Sequence, residues 1–267
     1  MSRLDFSNPL RRKLKANEPT FGFFVTLEDA TVTEIAADAA VDWVCIDMEH
    51  GSLDFRELVG HLRAARGSAL TVLVRLPTTS IDYVKRALDL GVNGVVLPLI
   101  NDAAQLQLGF QHGRYPPVGA RGLSNARVNH HSLSLQQYLE VADLETMIIP
   151  IIETAQASEN FEEILAVDGL EALFFGPADL SMSRGFRGVW EGPGVAADIL
   201  RMNEMAKALG IATAIMSLDA NDLKLRIEQG FTMLGMGSDV TFILKRIQDV
   251  LAYRKGVDLE LGWTRHK

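Results

Sequence analysis

Eight short runs of β-branched, aromatic and aliphatic residues recur along the chain, each followed by a longer stretch with helical periodicity. This alternation restricts the fold more than any other feature of the sequence. The runs are Phe21–Thr26, Trp43–Met48, Thr71–Leu76, Gly94–Leu99, Met147–Ile152, Ala172–Gly176, Ile211–Met216 and Thr232–Met236. The spacing predicts helices over Thr31–Ala40, Phe55–Ala65, Ile81–Leu90, Ala103–Gly113, Ser158–Val167, Val195–Leu209, Ala220–Gln229 and Val240–Arg254. Gly91 and Gly230 stand where helices commonly close on a glycine. Trp43–Ile46 and Met147–Ile152 are almost continuously apolar, as parallel strands covered on both faces are. Such a pattern builds either an open doubly wound sheet or a closed barrel. Eight units fit the barrel, and no glycine-rich dinucleotide loop follows the first strand. The expected fold is therefore α/β, a (β/α)8 TIM barrel in a single domain over residues 1–267.

One stretch interrupts the rhythm. From Tyr115 to Leu144 an insertion separates the fourth helix from the fifth strand; it carries Pro116-Pro117, Arg121-Gly122, Arg127, His130-His131 and a short helix over Leu135–Ala142. It reads either as a lid or subunit contact, or as a plain surface excursion. At 267 residues and 48% hydrophobic, the chain can bury one large core. A net charge of −8 repels the phosphate backbone of nucleic acids and an anionic membrane surface alike, so neither is an expected partner. The longest apolar runs fall well short of the roughly 18 residues that suggest a membrane span. The segment from Met1 to Leu14 lacks the apolar centre of a signal peptide, which points to a cytoplasmic location. The single cysteine, Cys45, sits in an apolar run and reads as a small core residue.

Barrel active sites gather at the C-terminal ends of the strands. There the sequence places Asp47-Met48-Glu49-His50 after the second run, Arg75 at the end of the third, Glu153-Thr154 after the fifth and Gly176-Pro177-Ala178-Asp179 after the sixth. Glu153 and Asp179 follow consecutive strands and can converge. Two close carboxylates repel unless a cation or a proton separates them, and a hard divalent ion such as Mg²⁺ or Mn²⁺ takes oxygen ligands. The plainer alternative is that each carboxylate caps the next helix. Arg75 at a barrel mouth calls for an anion, either a substrate carboxylate or a structural partner in Asp47 or Glu49. His50, with an ordinary pKa near neutrality, can take and return a proton. The eight lysines, at 13, 15, 85, 207, 224, 245, 255 and 267, avoid the strand ends, so a Schiff-base mechanism lacks its nucleophile and a metal ion is the expected Lewis acid.

These residues carry a resemblance. Asp42-Trp-Val-Cys-Ile-Asp-Met-Glu-His50, Val74-Arg75, Leu88-Asp89-x-Gly91, Tyr115-Pro-Pro-x-Gly-x-Arg-Gly122, Ile152-Glu153-Thr154 and Gly176-Pro-Ala-Asp-Leu180 resemble the HpcH/HpaI family of metal-dependent class II pyruvate aldolases, in order, from about Asn8 to Ile247. The resemblance implies a divalent ion, Mg²⁺, Mn²⁺ or Co²⁺, held by Glu153 and Asp179 and chelated by a 2-keto acid. It implies His50 as the base and Arg75 as the stabiliser of the enolate oxygen. It further implies that Asp89, from a neighbouring subunit, raises the basicity of the histidine. Backbone groups around Pro177 and Ala178 would hold the substrate carboxylate, and Met216 would contact its methyl end. The assembly it implies is a homohexamer, a trimer of dimers, with the segment after Thr241 free to exchange between subunits. Two positions depart from the family pattern: Phe24 stands where a tryptophan is common and Ile151 where a glutamine is often found. Both changes remove hydrogen-bonding capacity near the pocket.

The expected function is reversible aldol cleavage and addition between pyruvate, or a 2-keto acid such as hydroxypyruvate, and an aldehyde. The alternative within the superfamily is an acyl-CoA or citrate-type lyase or synthase, for which Arg121, Arg127, Arg184 and Arg187 could supply charge. A non-catalytic keto-acid-binding protein is a further alternative of a different class.

Overall fold

In the computed structural model, which describes residues 6–252 and 254, all eight strands are parallel and close into one barrel. They are β1 (Thr20–Val25), β2 (Trp43–Asp47), β3 (Thr71–Arg75), β4 (Gly94–Leu97), β5 (Met147–Ile152), β6 (Ala172–Phe175), β7 (Ala212–Met216) and β8 (Met233–Ser238). Each pairs with the next in sequence, and β8 returns to β1.

Alternation along each strand sends every second side chain inward. Phe24, Trp43, Cys45, Leu73, Val96, Ile149, Ile151, Phe174, Ala214 and Met233 fill the barrel, while the outward set packs beneath the helices. Cys45 is a fully buried free thiol, held protonated by that burial, as expected of a core residue. Gly22 makes room for the largest of these side chains, since a Cβ there would lie 2.1 Å from the Trp43 ring. The sequence does not announce the short helix Pro9–Lys15, capped by the Asn8 side chain. It sends Leu10 and Leu14 into the inner cluster and stops the bottom of the barrel.

The helices from Ile81 to Leu90 and from Ala103 to Gly113 lie where periodicity puts them. The expected helix Ser158–Val167 is instead two, Ala155–Glu159 and Phe161–Leu165, divided at Asn160, whose side chain donates to Asn101 O at 3.0 Å. β4 ends before its expected limit because Pro98 has no N–H to extend the ladder, and Leu99 then turns left-handed with φ at 53°. The helix expected over Leu135–Ala142 is also divided, into Leu135–Leu139 and Ala142–Glu145. The whole insertion joins a helix to the start of β5, so it lies on the N-terminal face of the barrel and cannot close over the chain's own strand ends.

The final helix runs Asp239–Leu251. Its first residue seals the seam, because the Asp239 carboxylate accepts the backbone N–H groups of Thr26 and Leu27, both at 2.9 Å, and the Thr26 hydroxyl. The part of the expected exchange segment beyond residue 254 lies outside the described residues. Among the described residues no helix is long and apolar enough to cross a membrane.

The N-terminal stopper generates a prediction. Leu10 is 1% exposed, and Leu10→Ala should lower the unfolding free energy by about 2–5 kcal/mol, read as a reduced denaturant midpoint with an unchanged m-value. A loss below about 0.5 kcal/mol, the size of an ordinary surface substitution, would show that the helix contributes no core.

Candidate active site

The inward rows of β2, β3, β5 and β7 continue past the apolar layers into polar ones. Cys45 is followed inward by Asp47, Leu73 by Arg75, Ile151 by Glu153 and Ala214 by Met216. The same alternation that fills the barrel therefore delivers the site to its mouth. Asp179 reaches it from the first turn of the helix Pro177–Ser183, which has Pro177 at its start, and Ala178 lies in the same turn.

Asp47 is the organiser. It is 2% exposed, it lies opposite Arg75 in the β2/β3 register, and its carboxylate accepts from Arg75 Nε at 3.0 Å and from Arg75 Nη2. The same Oδ1 accepts the backbone N–H groups of Glu49 at 3.1 Å and His50 at 3.2 Å, fixing the turn that carries both. The structural partner foreseen for Arg75 is thus present. Its Nη1 nonetheless makes no hydrogen bond among the described residues, and one face of the guanidinium stacks on Phe24 with 4.9 Å to the ring centroid. Burial opposes the charge on Arg75, but the Asp47 hydrogen bonds and charge outweigh it and raise its pKa. Where a tryptophan would offer an N–H, Phe24 offers a flat apolar seat.

Glu49 Oε2 sits 3.3 Å from Arg75 Nε and 3.8 Å from His50 Nε2, yet is buried without a hydrogen bond among the described residues. The His50 side chain is 65% exposed and free to meet a substrate. Glu153 is 4% exposed. Its Oε1 accepts the Leu99 N–H at 2.7 Å, aimed there by the left-handed turn at Leu99. Gly176 packs against it so tightly that a Cβ would lie 2.8 Å from the Glu153 Cβ and 3.1 Å from Oε2.

Burial pushes the Glu153 carboxyl up to about 7, the Leu99 N–H opposes, and the charges of Asp179 and Glu49 raise it further. Glu49 is likewise raised, first by burial and then by Asp47 and Asp179, against Arg75 and His50. Glu153, Asp179 and Glu49 thus lie within electrostatic reach of one another. Crowded acidic oxygens, one of them buried and unsatisfied, fit a divalent cation. No three His, Cys, Asp or Glu side chains among the described residues form a ready ligand set, so further ligands would come from water or substrate.

His50, Arg75, Glu153, Pro177, Ala178, Asp179 and Met216 all belong to this rim. Asp89 does not. It ends the helix Ile81–Leu90 at the opposite end of the barrel, where its carboxylate accepts from Arg121 Nη2 at 2.8 Å and the Ser124 hydroxyl at 2.9 Å. Leu99 and Gly176 are contributors whose importance lies in backbone geometry. Only the break at Pro98 hinted at Leu99. Ile151 sits in the inner core, 3% exposed, where a glutamine would need a partner. Among the described residues no lysine lies in a strand or in the turn that follows one.

A closed β/α barrel with carboxylates, a guanidinium and an exposed imidazole at its strand ends is the framework of an enzyme for small anionic substrates. Residues 20–245 match the HpcH/HpaI aldolase/citrate lyase family, and the chain belongs to that family, as a carbon–carbon lyase of the aldolase type. It is 32% identical over 253 residues to a hydroxypyruvate/pyruvate aldolase of Paraburkholderia phytofirmans, covering 92% of this chain and 97% of the relative. Its fold is similar to that of a family member from Burkholderia cenocepacia, with a TM-score of 0.87, 30% identity and coverage of 92% and 99% of the two chains. A citrate synthase structure is also similar, at a TM-score of 0.83, 26% identity and 94% and 98% coverage.

The raised Glu153 carboxyl makes stability depend on pH. A folded pKa above the unfolded one means stability fully present below about 4.5 and lost as pH climbs through about 7. In chelator-treated protein, Glu153→Gln should match wild type in melting temperature at the acid end and exceed it increasingly toward pH 7, then level off. A difference independent of pH would show that Glu153 carries no buried charge.

Proposed function

We propose that the protein catalyses reversible aldol cleavage and addition between pyruvate, or a related 2-keto acid such as hydroxypyruvate, and an aldehyde, with a divalent metal ion as cofactor. The observation that carries this reading is the burial of Glu153 beside Asp179 and Glu49, negative charge gathered where an uncompensated carboxylate takes up a proton instead. Glu153 and Asp179 are the side chains that would hold the ion, and an all-oxygen donor set suits Mg²⁺ or Mn²⁺, with Co²⁺ as a substitute. When bound, the ion supplies Lewis acidity toward a keto acid's oxygens.

The chain's own groups divide the remaining work. In cleavage, the bond between the keto acid's C3 and the carbinol carbon breaks, and its electron pair passes toward the keto oxygen. Arg75, locked by Asp47 and seated on Phe24, presents the unengaged Nη1 to that developing charge without having to reorganise. His50 takes the hydroxyl proton of the departing carbinol, directly or through water, as the aldehyde forms, and returns it in the addition direction. Backbone groups around Pro177 and Ala178 bind the substrate carboxylate, and Met216 lies against its methyl end. The barrel acts as a single catalytic domain, in the cytoplasm.

Asp89, which lies away from the rim of its own barrel, acts from a neighbouring subunit as the family resemblance implies, raising the basicity of the histidine. The assembly is a homohexamer, a trimer of dimers with the C-terminal helix exchanged. Val240, Phe242, Ile243, Leu244, Ile247 and Val250 are all exposed on that helix, which supports burial against a partner copy.

Chelation should abolish retro-aldol cleavage, and add-back of Mg²⁺, Mn²⁺ or Co²⁺ should restore it; a lysine trapped by borohydride with pyruvate would overturn the metal mechanism. His50→Ala should lower turnover by at least about a hundredfold, and an unchanged rate removes it from the role of base. A citrate-type reaction is the second reading, favoured by the likeness to the citrate synthase. Release of pyruvate from a hydroxy-keto acid panel, with no acyl-CoA turnover, separates the two.

A further inference from the structure

The face opposite the rim carries a feature that aldol chemistry leaves unused. A cavity of about 1090 Å³ opens there between the turns that precede β3 and β4 and the insertion around Arg127–Leu133. Arg12, Arg63, Arg66 and Arg127 line it, with His130 and His131 beside them. Among the described residues the one carboxylate in the lining, Glu145, is already engaged: Oε2 accepts the Asn8 N–H at 2.7 Å, and Oε1 lies 3.7 Å from Arg11 Nη1. Arg12, Arg63 and Arg66 form no ion pair with any described residue. In a chain of net charge −8, unpaired positive charge around a concavity is a focus for an anion.

The details favour a ligand over a merely solvated patch. Arg127 donates to Leu62 O at 3.1 Å and Leu90 O at 2.8 Å, covering helix-end carbonyls that an anion would otherwise meet. Burial lowers the Arg127 pKa, and the nearby Arg66 and Arg63 lower it further. Burial, Arg66, Arg127 and His131 depress His130, whose Nδ1 is buried with no hydrogen-bond partner among the described residues. A bound anion would offset the mutual repulsion of these cations. The walls also contain Leu62, Leu70, Val92 and Val128, which offer apolar surface to an uncharged portion.

We infer that this cavity binds a small molecule with a phosphate or pyrophosphate group on an aromatic or aliphatic body, of nucleotide size, separately from the rim. Guanidinium forks match phosphate oxygens in pairs, and the volume of about 1090 Å³ lies just above the usual range for ligand pockets, roughly 300–1,000 Å³, room enough for a nucleotide-sized molecule.

The test is calorimetric titration of the full chain, treated with chelator so that no metal at the rim captures phosphate, with inorganic phosphate, pyrophosphate and ADP. Pyrophosphate and ADP should bind saturably, ADP the tighter because of the apolar walls, and phosphate the weakest. The Arg63→Ala, Arg66→Ala double variant should weaken ADP by at least about tenfold while leaving retro-aldol activity intact. Glu153→Gln should leave ADP binding unchanged. Absence of saturable binding, full affinity in the double variant, or loss of binding in Glu153→Gln would each overturn the inference. Equal affinity for pyrophosphate and ADP would overturn the organic body and leave a bare anion site.

Discussion

A buried carboxylate must find its counter-charge nearby, and Asp47 finds it in Arg75 across one rung of the β2/β3 ladder. Most of the rim follows from that pairing. Asp47 still has capacity to accept the N–H groups of Glu49 and His50, so one carboxylate sets both the arginine and the turn that presents the histidine. Removing it would leave Arg75 with only Glu49, at 3.3 Å, and would free the turn. The ion pair thus fixes the position of the guanidinium, the rigid pre-aligned charge that the proposed enolate chemistry requires.

The acidic half of the rim obeys the opposite logic. Glu153 and Glu49 share a single nearby guanidinium, Arg75, which Asp47 already engages, and burial holds both carboxyls above their ordinary pKa in spite of it. Such a cluster is tolerable in a protein only if protons or a metal ion supply what the side chains do not. The barrel makes this arrangement possible because the strand ends are held from below by tightly interlocked side chains, Trp43 over Gly22 among them.

The fold was readable in the sequence because each strand carries its own signal. β5 is apolar throughout and needed no context, and the rim residues follow from where such runs stop. His50, Arg75, Glu153 and Asp179 were found this way. What the sequence could not show depends on contacts between distant segments. Asn160 divides a helix by reaching Asn101, the N-terminal helix exists because the barrel floor needs Leu10 and Leu14, and Leu99 matters through its φ and its N–H. The partner of Arg75 was legible only as a choice between a substrate and Asp47 or Glu49. Strand pairing settles it by placing Asp47 and Arg75 side by side, with one guanidinium nitrogen left over.

Asp239 joins two roles in this barrel. Its carboxylate fastens the end of β1 beside β8, and it is also the first residue of the terminal helix with the apolar exterior. The helix therefore begins at the very clasp that keeps the cylinder shut. Any force transmitted along that helix, from whatever it packs against, arrives at the lip between the first and last staves and from there at the mouth where the chemistry is done.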